Sequence, residues 1–194
     1  MKNIIDKDSV FEGRHVLLRE IQYEDTELIV LWRNDREQGK FLQTEPLTKE
    51  MHIEFLHHYF KRDNDFYFIA ETKKSRKPVG TIAIYNVDIR CKRAVFGRLY
   101  ILEKYKIYAL EMSYLALRVA FETLQLHKVC SDVQRKNMKS LRFNSMLGFH
   151  KEAVLKEHMW NGEMFDDVVL FAMFKQDYEQ LVNRYYSFFN ERKT

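Results

Sequence analysis

The sequence is poor in residues that staple or punctuate a chain: 194 residues include only 2 cysteines, 2 prolines and 6 glycines. Cys91 and Cys130 sit outside any Cys-x-x-Cys spacing. Two such thiols exclude a disulfide framework and argue against a cysteine-based zinc site. The scarcity of proline and glycine excludes collagen-like and low-complexity chains. An excess of one charge is lacking too, since 32 basic and 28 acidic residues leave a net charge of +4. A nucleic-acid binder usually carries more and concentrates it on one face, so no nucleic acid is expected as partner, while a small anionic ligand fits. No apolar run approaches the ~20 residues needed to cross a bilayer, so no membrane partner is expected either. The opening MKNIIDKDSV has no signal-peptide-like apolar stretch and carries Asp6 and Asp8, which predicts a cytoplasmic protein.

What is present is the composition of a folded chain, 46% hydrophobic and 31% charged. The length suits one domain. No internal repeat or Ser/Gly/Pro linker divides it, so residues 1–194 are expected to form a single domain. Val16 to Ile21 reads as a strand, and Glu24-Asp25-Thr26 opens an acidic first turn before Leu28, Ile29, Leu31 and Trp32 at helical spacing. A second helical pattern follows Thr48. Phe66 to Ala70 and Val79 to Tyr85 predict a hairpin across a charged turn. The next strand, Ala94 to Leu102, contains Gly97, a sign of a bulge or a close backbone approach. Tyr108 to Leu124 has the clearest helical periodicity. A strand over Lys128 to Val133 and a short helix over Met138 to Leu147, stopped by Gly148, come next. A long hairpin turning at Asn161-Gly162 and an amphipathic helix at about 176–190 end the chain. Strands that alternate with helices in the middle and pair as hairpins on either side predict an α/β (α+β) fold with helices on both faces of a mixed sheet.

Lys128 to Phe149 carries the strongest functional signal. A strand runs toward Asn137, a helix opens with Ser140 in its first turn, and Leu147-Gly148-Phe149 returns the chain to a strand. With Ala120 to Leu126 before it and Glu163 to Leu170 after it, this layout resembles the GNAT acetyltransferase superfamily over roughly residues 9 to 175. Within it the chain is similar to the ribosomal-protein N-terminal acetyltransferases and to the PseH-like acetyltransferases of nucleotide-linked amino sugars, and Trp32-Arg33-Asn34-Asp35 leans toward the second. The resemblance implies a mostly antiparallel sheet of six to seven strands. It also implies acetyl transfer from acetyl-CoA to a primary amine by direct attack, without a covalent enzyme intermediate or a metal.

The physical requirements of that chemistry select residues. A pyrophosphate needs unpaired amides and the positive dipole end of a helix. The segment Lys104, Lys106, Ile107, Tyr108, Ala109 and Leu110 stands there, although the glycines usual in the family are missing. Pantetheine needs an open strand edge, which the resemblance assigns to Leu99, Tyr100 and Ile101; an amide there would polarise the thioester carbonyl. Asn137, Ser140 and Asn144 complete the candidate CoA site, and Arg135, Lys136, Lys139 and Arg142 are candidates for its 3′-phosphate or simply a solvated face. Asn137 is equally a helix cap. Many relatives carry a proton-donating tyrosine where Asn144 stands, which leaves Ser145 or solvent as proton source. An ammonium group must lose a proton before it attacks, so a carboxylate is needed: Asp132 first, Glu20 second, either of which could instead be an ordinary surface or capping acid. Arg33 could bind a substrate phosphate or form a structural ion pair, and Thr81 is a further candidate for the acceptor side. His57-His58 has no third ligand nearby, which argues against a metal. The stripe from Tyr178 to Phe189 is either core or a contact with a second copy.

Three functions stay open on this sequence: an acetyltransferase of a small amine, a protein N-terminal acetyltransferase that would need a groove for extended peptide, and a protein of this fold that has lost catalysis.

Overall fold

The structure, a computed structural model, describes residues 5, 9–37, 39, 41 and 45–189. The opening eight residues of the sequence therefore lie largely outside the described residues, as does Asn190 at the expected end of the terminal helix. Eight strands form one sheet: β1 Phe11–Glu12, β2 Val16–Glu20, β3 Phe66–Thr72, β4 Pro78–Asp88, β5 Arg93–Ile101, β6 Lys128–Gln134, β7 His150–Trp160 and β8 Phe165–Phe174. Their order across the sheet is β1-β2-β3-β4-β5-β6-β8-β7. Every neighbouring pair is antiparallel except β5 and β6. The two-residue β1 is the strand beyond the six to seven expected.

The helices are α1 Thr26–Arg33, α2 Lys49–Tyr59, α3 Ala109–Arg118, α4 Met138–Leu147, α5 Lys175–Arg184 and α6 Tyr186–Phe189. Strand side chains alternate between faces, and β3 shows both faces covered. Tyr67 and Ile69 join a cluster with Ile29 and Trp32 of α1 and Leu56 and Tyr59 of α2. Phe66, Phe68 and Ala70 pack on the other side with Met112, Leu115 and Phe121. Each such side chain removed from water contributes about 1.5–3 kcal/mol, so the helices are fixed mainly by these two apolar faces. Among the described residues no helix is long and apolar enough to cross a membrane.

Local signals set several ends. Thr48 Oγ1 accepts the Met51 N–H at 3.2 Å and starts α2. Asn137 Oδ1 accepts the Ser140 N–H at 3.1 Å and starts α4, so the capping role is real. Gly148 ends α4 at φ +96°, the left-handed position for which glycine is favoured. Gly148→Ala is expected to lower stability by about 1 kcal/mol. The nearest atom a new Cβ would meet is Met173 Cε at 3.9 Å, so the cost is backbone strain alone; a urea midpoint equal to the parent's would contradict this.

Three expected elements differ in detail. The helix read over Tyr108 to Leu124 begins at Ala109 and finishes in a π-helical turn, Val119–Thr123. The terminal helix is broken at Tyr185, where α5 stops and α6 begins; apolar periodicity continues through the break and therefore could not reveal it. The hairpin turn is wider than Asn161-Gly162, because Asn161 Oδ1 accepts the N–H groups of both Glu163 and Met164.

Candidate functional site

The parallel pair at the centre of the sheet comes apart. β5 and β6 are in register only over Arg93–Lys128, Ala94–Val129 and Val95–Cys130. Beyond that point residues 96–101 of β5 pair with β4 alone. The cause lies in β5 itself, where three steps from Gly97 to Tyr100 oppose two steps from Ala83 to Thr81 on β4. The surplus residue is Arg98, at φ +50°, a conformation that costs a non-glycine residue energy unless its surroundings enforce it. The bulge resets the alternation: Phe96 and Leu99 both reach the α3 face, while Gly97 and Arg98 turn together toward the α1/α2 face.

Arg98 is held on all sides. Its guanidinium donates to Asp65 through Nη1–Oδ1 at 2.6 Å and Nη2–Oδ2 at 2.9 Å. It lies 4.5 Å from the ring centre of Tyr85, 5.1 Å from that of Tyr67 and 5.4 Å from that of Phe55. Thr81 Oγ1 donates to the Arg98 carbonyl at 2.8 Å. Burial alone would lower the Arg98 pKa, but the Asp65 hydrogen bonds and charge more than offset it and the net shift is upward. Gly97 lets the Tyr85 ring lie close, since a Cβ there would stand 3.0 Å from its hydroxyl and push the ring aside by a few tenths of an ångström.

Where the strands part there is a cavity of about 530 Å3. It brings together six of the residues singled out in the sequence: Arg33, Leu99, Asp132, Asn137, Ser140 and Asn144. Asp132 is exposed into it on the strand face shared with Tyr85. Asn144 is buried and donates an amide hydrogen to Ser131 Oγ at 2.9 Å. Arg98, Tyr85, Gln134, Phe41, Met159 and Trp160 also line it and were not anticipated. Gly97 marked the place, but no local signal tied Arg98 to Asp65.

Other candidates stand elsewhere. Glu20 accepts the Tyr59 hydroxyl at 2.8 Å on β2, outside the cavity lining, because two strands separate it from β5. Ser145 is exposed and donates to the Leu141 carbonyl at 3.1 Å, one helical turn back. Thr81 is buried and acts on the Arg98 backbone. Tyr100 turns its ring away from α3 and stacks on Trp32 at 5.3 Å, which leaves only its backbone for the open edge. The chain enters α3 through a 3-10 turn, Glu103–Tyr108, in which the Tyr105 N–H donates to Leu102 and the Ala109 N–H to Lys106. Lys104 lies over the Tyr105 ring, Lys106 pairs with Glu103, Tyr108 stacks on Tyr105, and Leu110 packs against the core. Ile107 projects into solvent, 68% exposed. Arg135 reaches Asp167 and Lys136 approaches Asp166, while Lys139 and Arg142 are exposed on α4.

An opening between parallel strands, with a carboxylate on one face and a capped helix on the other, can hold an extended thioester and admit a nucleophile from the opposite side. The comparisons agree with that geometry. The family model described as "Acetyltransferase (GNAT) domain" matches residues 15–150. The SPbeta prophage-derived uncharacterized N-acetyltransferase YokL of Bacillus subtilis is 29% identical over 172 residues, covering 86% of this chain and 94% of that protein. The spermidine N-acetyltransferase of Vibrio cholerae, solved with CoA and spermine, superposes with a TM-score of 0.78 at 21% identity over 85% of this chain and 98% of its own. FdhC, described as a nucleotide-linked sugar GNAT and solved in the apo form, superposes with a TM-score of 0.79 at 20% identity over 94% and 99%.

Proposed function

Because the chain belongs to the GNAT acetyltransferase domain family, whose members use acetyl-CoA, we propose that this acetyl-CoA-dependent acetyltransferase modifies the primary amine of a small anionic molecule, with a nucleotide-linked amino sugar as the best fit. The observation that carries this is the charge of the cavity lining: Arg33, Arg98 and Asp132 are its charged residues. Arg98 is already neutralised by Asp65, so a polyamine such as spermine, bound by the Vibrio cholerae enzyme, would meet Arg33 and find Asp132 as the one carboxylate of the lining. A phosphate-bearing acceptor would find Arg33 suited to bidentate contact, and Trp160, 49% exposed, offers a flat surface to a ring. The PseH-like reading of Trp32-Arg33-Asn34-Asp35 agrees with this.

The chain's own residues divide the work. Backbone groups of Leu99, Tyr100 and Ile101 lack a β6 partner and suit the amides of a pantetheine arm. Acetyl-CoA supplies an activated acetyl group on a thioester. Asn137, Ser140 and Asn144 border the same side on α4. The pyrophosphate is assigned to the start of α3, around Lys104, Lys106, Ile107, Tyr108, Ala109 and Leu110, where it would compete with the Ala109–Lys106 bond of the 3-10 turn. Asp132 takes the proton that the amine must lose. Residues 1–194 are read as one domain, a reading supported by the single sheet that all eight described strands join.

At about 100 times its dissociation constant, acetyl-CoA is expected to stabilise the protein by about 2.7 kcal/mol, read as a rise in melting temperature. Thiol release is then followed with UDP-linked amino sugars, spermidine and short peptides. Turnover of the amino sugars without spermidine turnover is the expected result. Turnover of peptides alone would replace the acceptor by a protein N-terminus, and the absence of any acetyl-CoA shift would remove the assigned donor site.

A further inference from the structure

The Tyr85 hydroxyl is a phenolic proton source at the parting of β5 and β6. It lies against Gly97, lines the cavity and makes no hydrogen bond among the described residues. Its ring is braced by Arg98, itself locked to Asp65. Tyr85 is the only phenol among the residues that line the cavity, and the residue is only partly buried, so its hydroxyl is open to a molecule held there.

Breaking a thioester leaves an electron pair on sulfur, and a nearby donor lowers the barrier. The other candidates serve less well: Asn144 is an amide, which gives a hydrogen bond but no proton, and Ser145 is exposed and donates to Leu141. Resting on the acetyl-transfer reading above, we propose that Tyr85 gives its hydroxyl proton to the departing thiol sulfur. In the balanced step the amine nitrogen forms the C–N bond. The C–S bond breaks with its electron pair going to sulfur, the Tyr85 proton passes to sulfur, and the proton shed by the amine passes to Asp132. Water then carries that proton from Asp132 to the Tyr85 oxygen, which faces Arg98 in the interval. Burial and then the Asp132 charge push the phenol up to about 12, with Arg98 acting against them and Asp65 adding to them. At neutral pH the group is accordingly protonated, a donor and not a base.

The test needs no acceptor. CoA can bind as thiol or thiolate and desulpho-CoA as neither, so the ratio of their affinities measured against pH reports how well the site stabilises sulfur's charge. For the parent protein this ratio at about pH 9 is expected to exceed that of Tyr85→Phe about tenfold, the size of one hydrogen bond to a charged group. The variant keeps the ring that Arg98 and Gly97 contact, and Asn144→Ala serves as the competing variant. Equal ratios in parent and Tyr85→Phe, or a collapse seen only in Asn144→Ala, would overturn the assignment while leaving acetyl transfer intact. A parent protein that binds neither CoA nor desulpho-CoA would overturn both.

Discussion

Asp132→Asn is expected to lower kcat at neutral pH about a hundredfold, the lower range of what a positioned general base contributes, with CoA affinity changed less than about twofold. The amide keeps the shape of the side chain but cannot accept the amine's proton. Asp132 makes no hydrogen bond or ion pair among the described residues, and the nearby Arg98 is engaged by Asp65. Its charge is thus available to an incoming amine. Steady-state thiol release with whichever acceptor the panel identifies, alongside a CoA titration of the same variant, separates the two terms. A kcat equal to the parent's would take Asp132 out of the mechanism, and a matching loss of CoA affinity would make it a binding residue.

The largest stability effect is expected at Asp65. Asp65 is 4% exposed and Arg98 20% by side chain, with their closest atoms 2.6 Å apart. Removing one partner of such a pair leaves an uncompensated charge, at a cost of about 3–5 kcal/mol. For a chain of this size Asp65→Ala should lower the melting temperature by about 6–20 °C. Asp65→Ala/Arg98→Met should recover part of that loss, because an apolar pair costs far less than a lone buried charge. Thermal and urea denaturation of the two variants decide the matter. A single variant within about 1 kcal/mol of the parent would mean that the pair contributes little, and that aromatic contacts alone hold the bulge.

Gly97, Asn137 and Gly148 illustrate how much of the fold was legible. Each acts on its own backbone or within a few residues, so the residue type announces the local conformation: a bulge, a helix start, a left-handed helix end. Periodicity placed the strands and helices for the same reason. The lack of glycine likewise marks Lys104 to Ala109, where the chain runs through a 3-10 turn. Ser145 shows the limit of such signals, because helical spacing placed it near Asn144 yet its hydroxyl turns back to Leu141. Glu20 shows another, since the end of a strand gives no hint of how many neighbours lie between it and the opening.

Local patterns, then, were enough to establish the order of elements, the two apolar faces, the position of the irregular strand and the resemblance that named the chemistry. Only packing in three dimensions brought Asp65 to Arg98 across 33 positions of chain, set Tyr85 over Gly97, and turned an interruption in one strand into an opening through the sheet. The reason is physical: backbone preferences act over a few residues, whereas a buried ion pair and a cavity exist only when distant segments are held against one another by the burial of their common apolar surface.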